Sequence, residues 1–272
     1  MVFKKWNRVC NFQNKRLISE QGGEMIYRVF LGVIVLMLAS KHSLGNTTLN
    51  PVLVEVPIQK SFVPMGFDSN DRVQLAIGGE LRNSCYKIAS NSVVVDPDQK
   101  IITVKQQAYV YLGFCLMMIV PYSEVVTLGI VDKPGDYQIR DASSGKTIGK
   151  IKIDLARTLE QDEFLYAPVS DAVLVKDEAH ESEESPERNK IVLTGTFVDA
   201  CTQLKEVRVS QNENTIVVQP IAVVNQQMGD CKTEKINFSK TVVLDPKLRG
   251  DYLLHVRALN GAAINKVIDF GN

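Results

Sequence analysis

Along most of the chain, apolar and polar residues alternate in short runs that turn residues close off. Val73-Gln-Leu75-Ala-Ile77 is the plainest case, and a period of two predicts a strand with one buried face. Residues 101–104, 125–130, 137–139 and 148–153 are further predicted strands, rich in β-branched side chains. Turns are expected at Asp96-Pro97-Asp98, Lys133-Pro134-Gly135 and Ser143-Ser144-Gly145. Neither half of the chain sustains an amphipathic helical period for three turns.

The pattern occurs twice. Gly79-Glu-Leu-Arg-Asn-Ser-Cys85, with Cys115, returns as Gly195-Thr-Phe-Val-Asp-Ala-Cys201, with Cys231; each pair of cysteines is 30 positions apart. Val56-Pro57-Ile58 corresponds to Ala167-Pro168-Val169, Pro121-Tyr122-Ser123 to Asn237-Phe238-Ser239, and Gly135-Asp-Tyr137 to Gly250-Asp-Tyr252. Repetition at about a hundred residues signals duplicated domains, since solenoid units are shorter. Seven or eight short strands per copy is the rhythm of a β-sandwich. The expected fold is therefore all-β: two tandem immunoglobulin-like sandwiches, each with one intradomain disulfide. The expected boundaries are 52–154 for the first domain, 155–165 for a polar linker and 166–272 for the second. An acidic loop at 176–190 has too little apolar content to offset its ordering entropy.

Gly135-Asp-Tyr137 and Gly250-Asp-Tyr252 resemble the tyrosine corner of immunoglobulin-like and fibronectin-like modules, where the phenol ties down the preceding crossover. The Gly-x-Leu-x-Asn-x-Cys-Tyr run resembles β-sandwich modules of uncharacterised exported bacterial proteins. Two departures separate it from antibody domains. No Trp remains after the leader, and the cysteines are not at the usual core-strand positions.

Residues 1–45 read as a leader. Arg28 precedes an apolar run at 29–39, and small residues follow at Ser40, Ser43 and Gly45, which is the layout of a secretory signal. The run is shorter than the roughly twenty apolar residues of a membrane span, although an uncleaved anchor is the alternative. Residues 1–24 fit poorly before such a signal, so Met25 is the expected start and 25–45 the signal peptide. Removing the leader changes the charge. Of 31 basic and 31 acidic residues, seven and two precede Asn46, leaving 24 against 29, a net of −5. That sign disfavours a nucleic-acid partner or a polybasic membrane module. Four cysteines remain, an even number suited to an oxidising compartment. Three pairings are formally possible, and the repeated spacing selects Cys85–Cys115 and Cys201–Cys231. A periplasmic or secreted protein is expected, with no stable membrane span after signal cleavage.

Chemistry is sparse. The three histidines are His42 in the leader region, His180 in the acidic loop and His255 in a predicted strand. His255 corresponds to Arg140 in the first copy, so no ligand pair recurs, and a structural or solvent-facing place is expected for it. There is no Gly-x-Ser-x-Gly elbow and no phosphate-binding glycine loop. The cysteines are committed to bridges, leaving no zinc set, and the acidic loop lacks calcium-ligand spacing. Arg249-Gly250-Asp251 repeats Pro134-Gly135-Asp136 and reads as a turn rather than an adhesion motif. No catalytic residue, cofactor or metal is expected.

Aligning the copies at their second cysteines exposes a contrast. Tyr109-Val-Tyr-Leu-Gly-Phe-Cys115-Leu-Met-Met-Ile-Val120 faces Asn225-Gln-Gln-Met-Gly-Asp-Cys231-Lys-Thr-Glu-Lys-Ile236. If one fold accepts polar residues here, the positions are not obligatory core. Tyr109, Tyr111, Phe114, Leu116, Met117 and Met118 then form a partner-binding surface, for a protein or for self-association; burial within the chain is the competing outcome. The expected function is non-enzymatic binding or scaffolding. The alternative is an inhibitor or modulator of a secreted or envelope enzyme, presenting the polar segment at 225–235.

Overall fold

A computed structural model of the chain describes residues 50–176, 189–225 and 231–271, all within one compact unit, Leu49–Asn272. The expected leader, with His42, lies outside the described residues, as do residues 177–188 of the acidic loop, with His180, and residues 226–230.

Among the described residues the first half carries nine strands. These are β1 (Val52–Val56), β2 (Lys60–Phe62), β3 (Phe67–Asp68), β4 (Arg72–Leu81), β5 (Tyr86–Asp96), β6 (Ile101–Val110), β7 (Val120–Ile130), β8 (Gly135–Asp141) and β9 (Thr147–Asp154). The second half carries β10 (Val169–Lys176), β11 (Asn189–Phe197), β12 (Thr202–Asn212), β13 (Thr215–Val224), β14 (Ile236–Val243), β15 (Asp251–Ala258) and β16 (Ala262–Asp269). In the first half one sheet is ordered β1-β6-β8-β9-β3 with β5 also on β6, and it faces the sheet β2-β4-β7. In the second half β12-β13-β15-β16 faces β10-β11-β14. Alternation decides which side chains lie between the layers. Val73, Leu75 and Ile77 of β4 meet Ile102, Val104 and Ile139 in one core. Ile191 and Leu193 meet Ile216, Leu254 and Val256 in the other.

The all-β, two-layer architecture and both disulfides, Cys85–Cys115 and Cys201–Cys231, are as the repeat predicts. One pairing feature is absent from purely antiparallel immunoglobulin sheets. β6 runs parallel to β8, and β13 parallel to β15. Between each such pair the chain crosses to the facing sheet through β7 or β14, and so returns in the same direction.

The repeated Gly-x-x-x-Asn/Asp-x-Cys run now has a physical account. A Cβ on Gly79 would stand 2.8 Å from the Tyr122 ring, and one on Gly195 would stand 2.6 Å from Phe238 and 2.2 Å from the Pro168 carbonyl. Each glycine makes room for the aromatic side chain of the neighbouring strand. Asn83 Oδ1 accepts the Cys85 N–H at 3.0 Å and Asp199 Oδ1 accepts the Cys201 N–H at 2.9 Å, the side chain closing the turn that aims each cysteine. Tyr137 is a tyrosine corner, its hydroxyl donating to the Lys133 carbonyl at 2.7 Å. Tyr252 instead sets its ring edge-on to Phe270, with centroids 5.6 Å apart.

The outer face of β2 and β4 packs on the outer face of β15 and β16, burying Phe62, Ala76 and Leu253 with Val267 against them. Arg257 crosses this joint, its Nη1 donating to Asp71 Oδ2 at 3.1 Å and its Nη2 to the Gly66 carbonyl. The two charged side chains are 8% and 6% exposed. Asn265 Nδ2 donates to Gln74 Oε1 at 2.7 Å. The connector is fastened on both sides. Asn70 Nδ2 donates to the carbonyls of Thr158 and Glu160, and Asp162 accepts the Gly261 N–H.

Candidate functional site

β6 ends at Val110 because its outward neighbours run out, and residues 111–119 then follow no regular structure. They are nonetheless held. The disulfide ties Cys115 to Cys85, the Tyr111 N–H donates to the Cys85 carbonyl at 3.0 Å, and the Ser84 N–H to the Leu116 carbonyl at 3.1 Å. Ser84 Oγ accepts the Leu116 N–H at 2.8 Å. The second sandwich repeats this cradle, with the Asn225 N–H on the Cys201 carbonyl at 2.8 Å and the Ala200 N–H on the Lys232 carbonyl at 3.1 Å. The same backbone device therefore carries two different surfaces.

All six residues expected at the partner-binding surface are exposed. Tyr109 and Tyr111 are each 41% exposed, Met117 87% and Phe114 95%. Leu116 and Met118 are also exposed, as are Leu112 and Ile119, which the sequence comparison passed over although they lie in the same run. Lys87 Nζ sits 5.2 Å from the Tyr111 ring centre, so one aromatic of the segment also holds a cation. Beneath the segment, Tyr122 is buried and donates its hydroxyl to the Pro57 carbonyl at 2.8 Å; burial pushes its phenol up to about 12. In the second half the corresponding described residues, Lys232, Thr233, Glu234 and Lys235, are exposed and polar.

The joint gathers the buried titratable groups. His255 is buried, the structural one of the two places expected for it: its ring packs edge-on to Phe67 at 5.6 Å. Its Nδ1 lies 2.7 Å from Asn265 Oδ1. Because Asn265 gives its amide protons to Gln74, its Oδ1 is an acceptor, so His255 carries its proton on Nδ1. His255 Nε2 has no hydrogen-bond partner among the described residues. Burial, assisted by the neighbouring Arg257 charge, pushes the imidazole down to about 4. Burial likewise raises the carboxyls of Asp71 and Asp162, although Arg257 pulls both the other way. These groups border a cavity of about 10 Å³, too small for an organic ligand.

Sequence comparison missed the joint, yet a signal was present. Gln138 in the first copy corresponds to Leu253 in the second, an exposed polar position turned apolar and buried. A cleft of about 790 Å³ beside the joint is lined by both charge signs, and every titratable side chain on it is exposed. Among the described residues no group of three His, Cys, Asp or Glu is placed to hold a metal ion, and no helix is long and apolar enough to cross a membrane.

The family described as the ORF11 beta-sandwich domain matches the chain over residues 75–141 and 191–269, one segment in each sandwich and together more than half of the chain. No curated protein and no solved structure matches it.

Proposed function

The chain belongs to the ORF11 beta-sandwich domain family, and from that premise we propose that it is an exported, non-enzymatic binding or scaffolding protein. It acts through residues 109–119 of the first sandwich. One observation carries this reading: a covalently anchored segment presents Phe114 and Met117 almost wholly to solvent, within a contiguous apolar surface. Leaving so much apolar area in water is unfavourable by about 25 cal/mol per Å², so a surface of this kind marks an interface. The anchoring supports the same reading, because a segment already held by its disulfide loses little entropy on docking. Two disulfides suit an oxidising compartment outside the cytoplasm.

The test compares the oxidised chain with a Phe114→Asp, Met117→Asp variant, each immobilised and challenged with envelope and secreted proteins after cross-linking. Partners held by this surface should fall at least about tenfold in the variant, the loss expected when a central apolar anchor is replaced by charge. Equal recovery on both chains refutes the assignment.

A further inference from the structure

We propose that the occupant of this surface is a second copy of the chain, docked edge to edge through β1 and face to face through the 111–119 segment. The inference rests on the functional reading above and names its partner.

The first support is β1 itself. It pairs with β6 along one side, from Val52↔Val110 to Val56↔Gln106, and its other side meets no strand among the described residues. Val-Leu-Val-Glu-Val is β-branched at its three valines and contains no proline, and Val52 and Leu53 are exposed. Edge strands are normally guarded by proline, charge, a bulge or a covering loop; within β1 the guard is Glu55 alone, itself paired with Lys105, and the rest of the edge is a template for another strand. Among the described residues the corresponding part of the second sandwich forms an isolated bridge, Tyr166↔Ile221, in place of a strand.

The second support is continuity. Leu53 and Tyr109 are partners across β1 and β6 and both are exposed, so the exposed face of β1 adjoins the start of the apolar segment. Its extent fits a dimer. At their observed exposures the side chains from Tyr109 to Ile119 offer roughly 1,000 Å², against the roughly 800 Å² per partner that a stable interface buries.

Charge favours self over foreign. No charged residue occurs between Lys105 and Glu124. That run has no charge of its own with which to select a foreign partner, and the ions at its margin are Glu55, paired with Lys105, and Lys87, which lies over the Tyr111 ring. The run meets its own copy without burying an unpaired ion. Two β1 strands pairing antiparallel about a two-fold axis make a closed, isologous contact in which each copy supplies the same residues.

The experiment is sedimentation equilibrium on the exported, oxidised chain over roughly 1 to 100 μM, a range that brackets ordinary dimer affinities. Wild type should reach twice the monomer mass. Phe114→Asp with Met117→Asp, and separately Leu53→Lys, should each weaken association about a hundredfold, as loss of a central anchor does. Far-UV circular dichroism should stay at the wild-type spectrum, and Tm should match that of wild type when both are measured at concentrations where wild type is monomeric, since dimer formation itself raises Tm. A wild-type chain that stays monomeric throughout overturns the proposal, as does a dimer that both variants leave intact. A monomer that still captures another protein through Phe114 and Met117 sinks self-association while leaving the functional reading standing. A monomer with no such capture sinks both.

Discussion

Replacing His255 by Gln should make the chain's stability less sensitive to mild acid, and the size of the effect follows from burial. Burial lowers the imidazole from 6.5 to about 4 in the fold, and the neighbouring Arg257 charge adds to the shift. The unfolded chain therefore binds a proton that the folded chain refuses. With the folded value depressed, the stability contributed by the neutral ring is complete above pH 6.5 and is lost as pH falls towards 4. Two and a half units correspond to about 3 kcal/mol over the whole window, of which about 2 kcal/mol falls between pH 7 and pH 5. Asp71 and Asp162 work in the opposite direction. Their carboxyls are raised by burial, so their contribution is complete in acid and lost as pH rises through their folded values. Subtracting the pH dependence of the variant from that of the wild type removes both, because each chain keeps the two aspartates. Urea unfolding at pH 7 and pH 5, with disulfides intact, gives the four free energies needed. The wild type should lose about 2 kcal/mol more than the variant. Equal losses, or a His255 ring signal that titrates above pH 6 in the folded chain, would refute the account of the joint.

Two further outcomes test the packing. Arg257→Ala leaves Asp71 charged and unpaired in the joint and should cost about 3–5 kcal/mol, whereas Asp71→Leu combined with Arg257→Met should cost far less, because a buried pair replaced by apolar groups loses its desolvation penalty too; chemical denaturation of the single and double variants separates the two. Gly195→Ala should be more damaging than Gly79→Ala, since its Cβ meets the Pro168 backbone oxygen at 2.2 Å while that of Gly79 meets the Pro57 oxygen at 2.9 Å; overpacking against an immovable carbonyl should exceed about 2 kcal/mol, and thermal melts that rank the two variants the other way would contradict the geometry.

Differences between the two copies are local, and that limits what they reveal of the folded surface. The contrast between Phe114-Cys115-Leu116 and Asp230-Cys231-Lys232 identified a segment whose side chains one fold could place in water, and those of the first copy are exposed. The same comparison held Gln138 against Leu253, but a single apolar replacement on a strand does not name what will cover it. The covering face is β2 and β4, far earlier in the chain, and the ion pair that crosses the same joint, Asp71 with Arg257, spans 186 positions. No periodicity spans that distance. His255 illustrates the consequence. Its neighbours in sequence, Leu254 and Val256, are core residues, so alternation turns it out of its own sandwich. Only the packing of the other sandwich removes that outer face from water.

What the amino-acid order determined by itself was local and repeated: alternation of period two, turn residues at the breaks, and one cysteine spacing used twice. Those features act within a few residues or through a covalent bond, so they specify the all-β class and both disulfides without reference to the rest of the molecule. The parallel pairing of β6 with β8, the burial of Arg257 and Asp71 against each other, and the side of β1 that meets no strand among the described residues were decided by the tertiary structure alone. Each depends on which surfaces meet once strands have formed, and that is a property of the assembled layers rather than of any stretch within them.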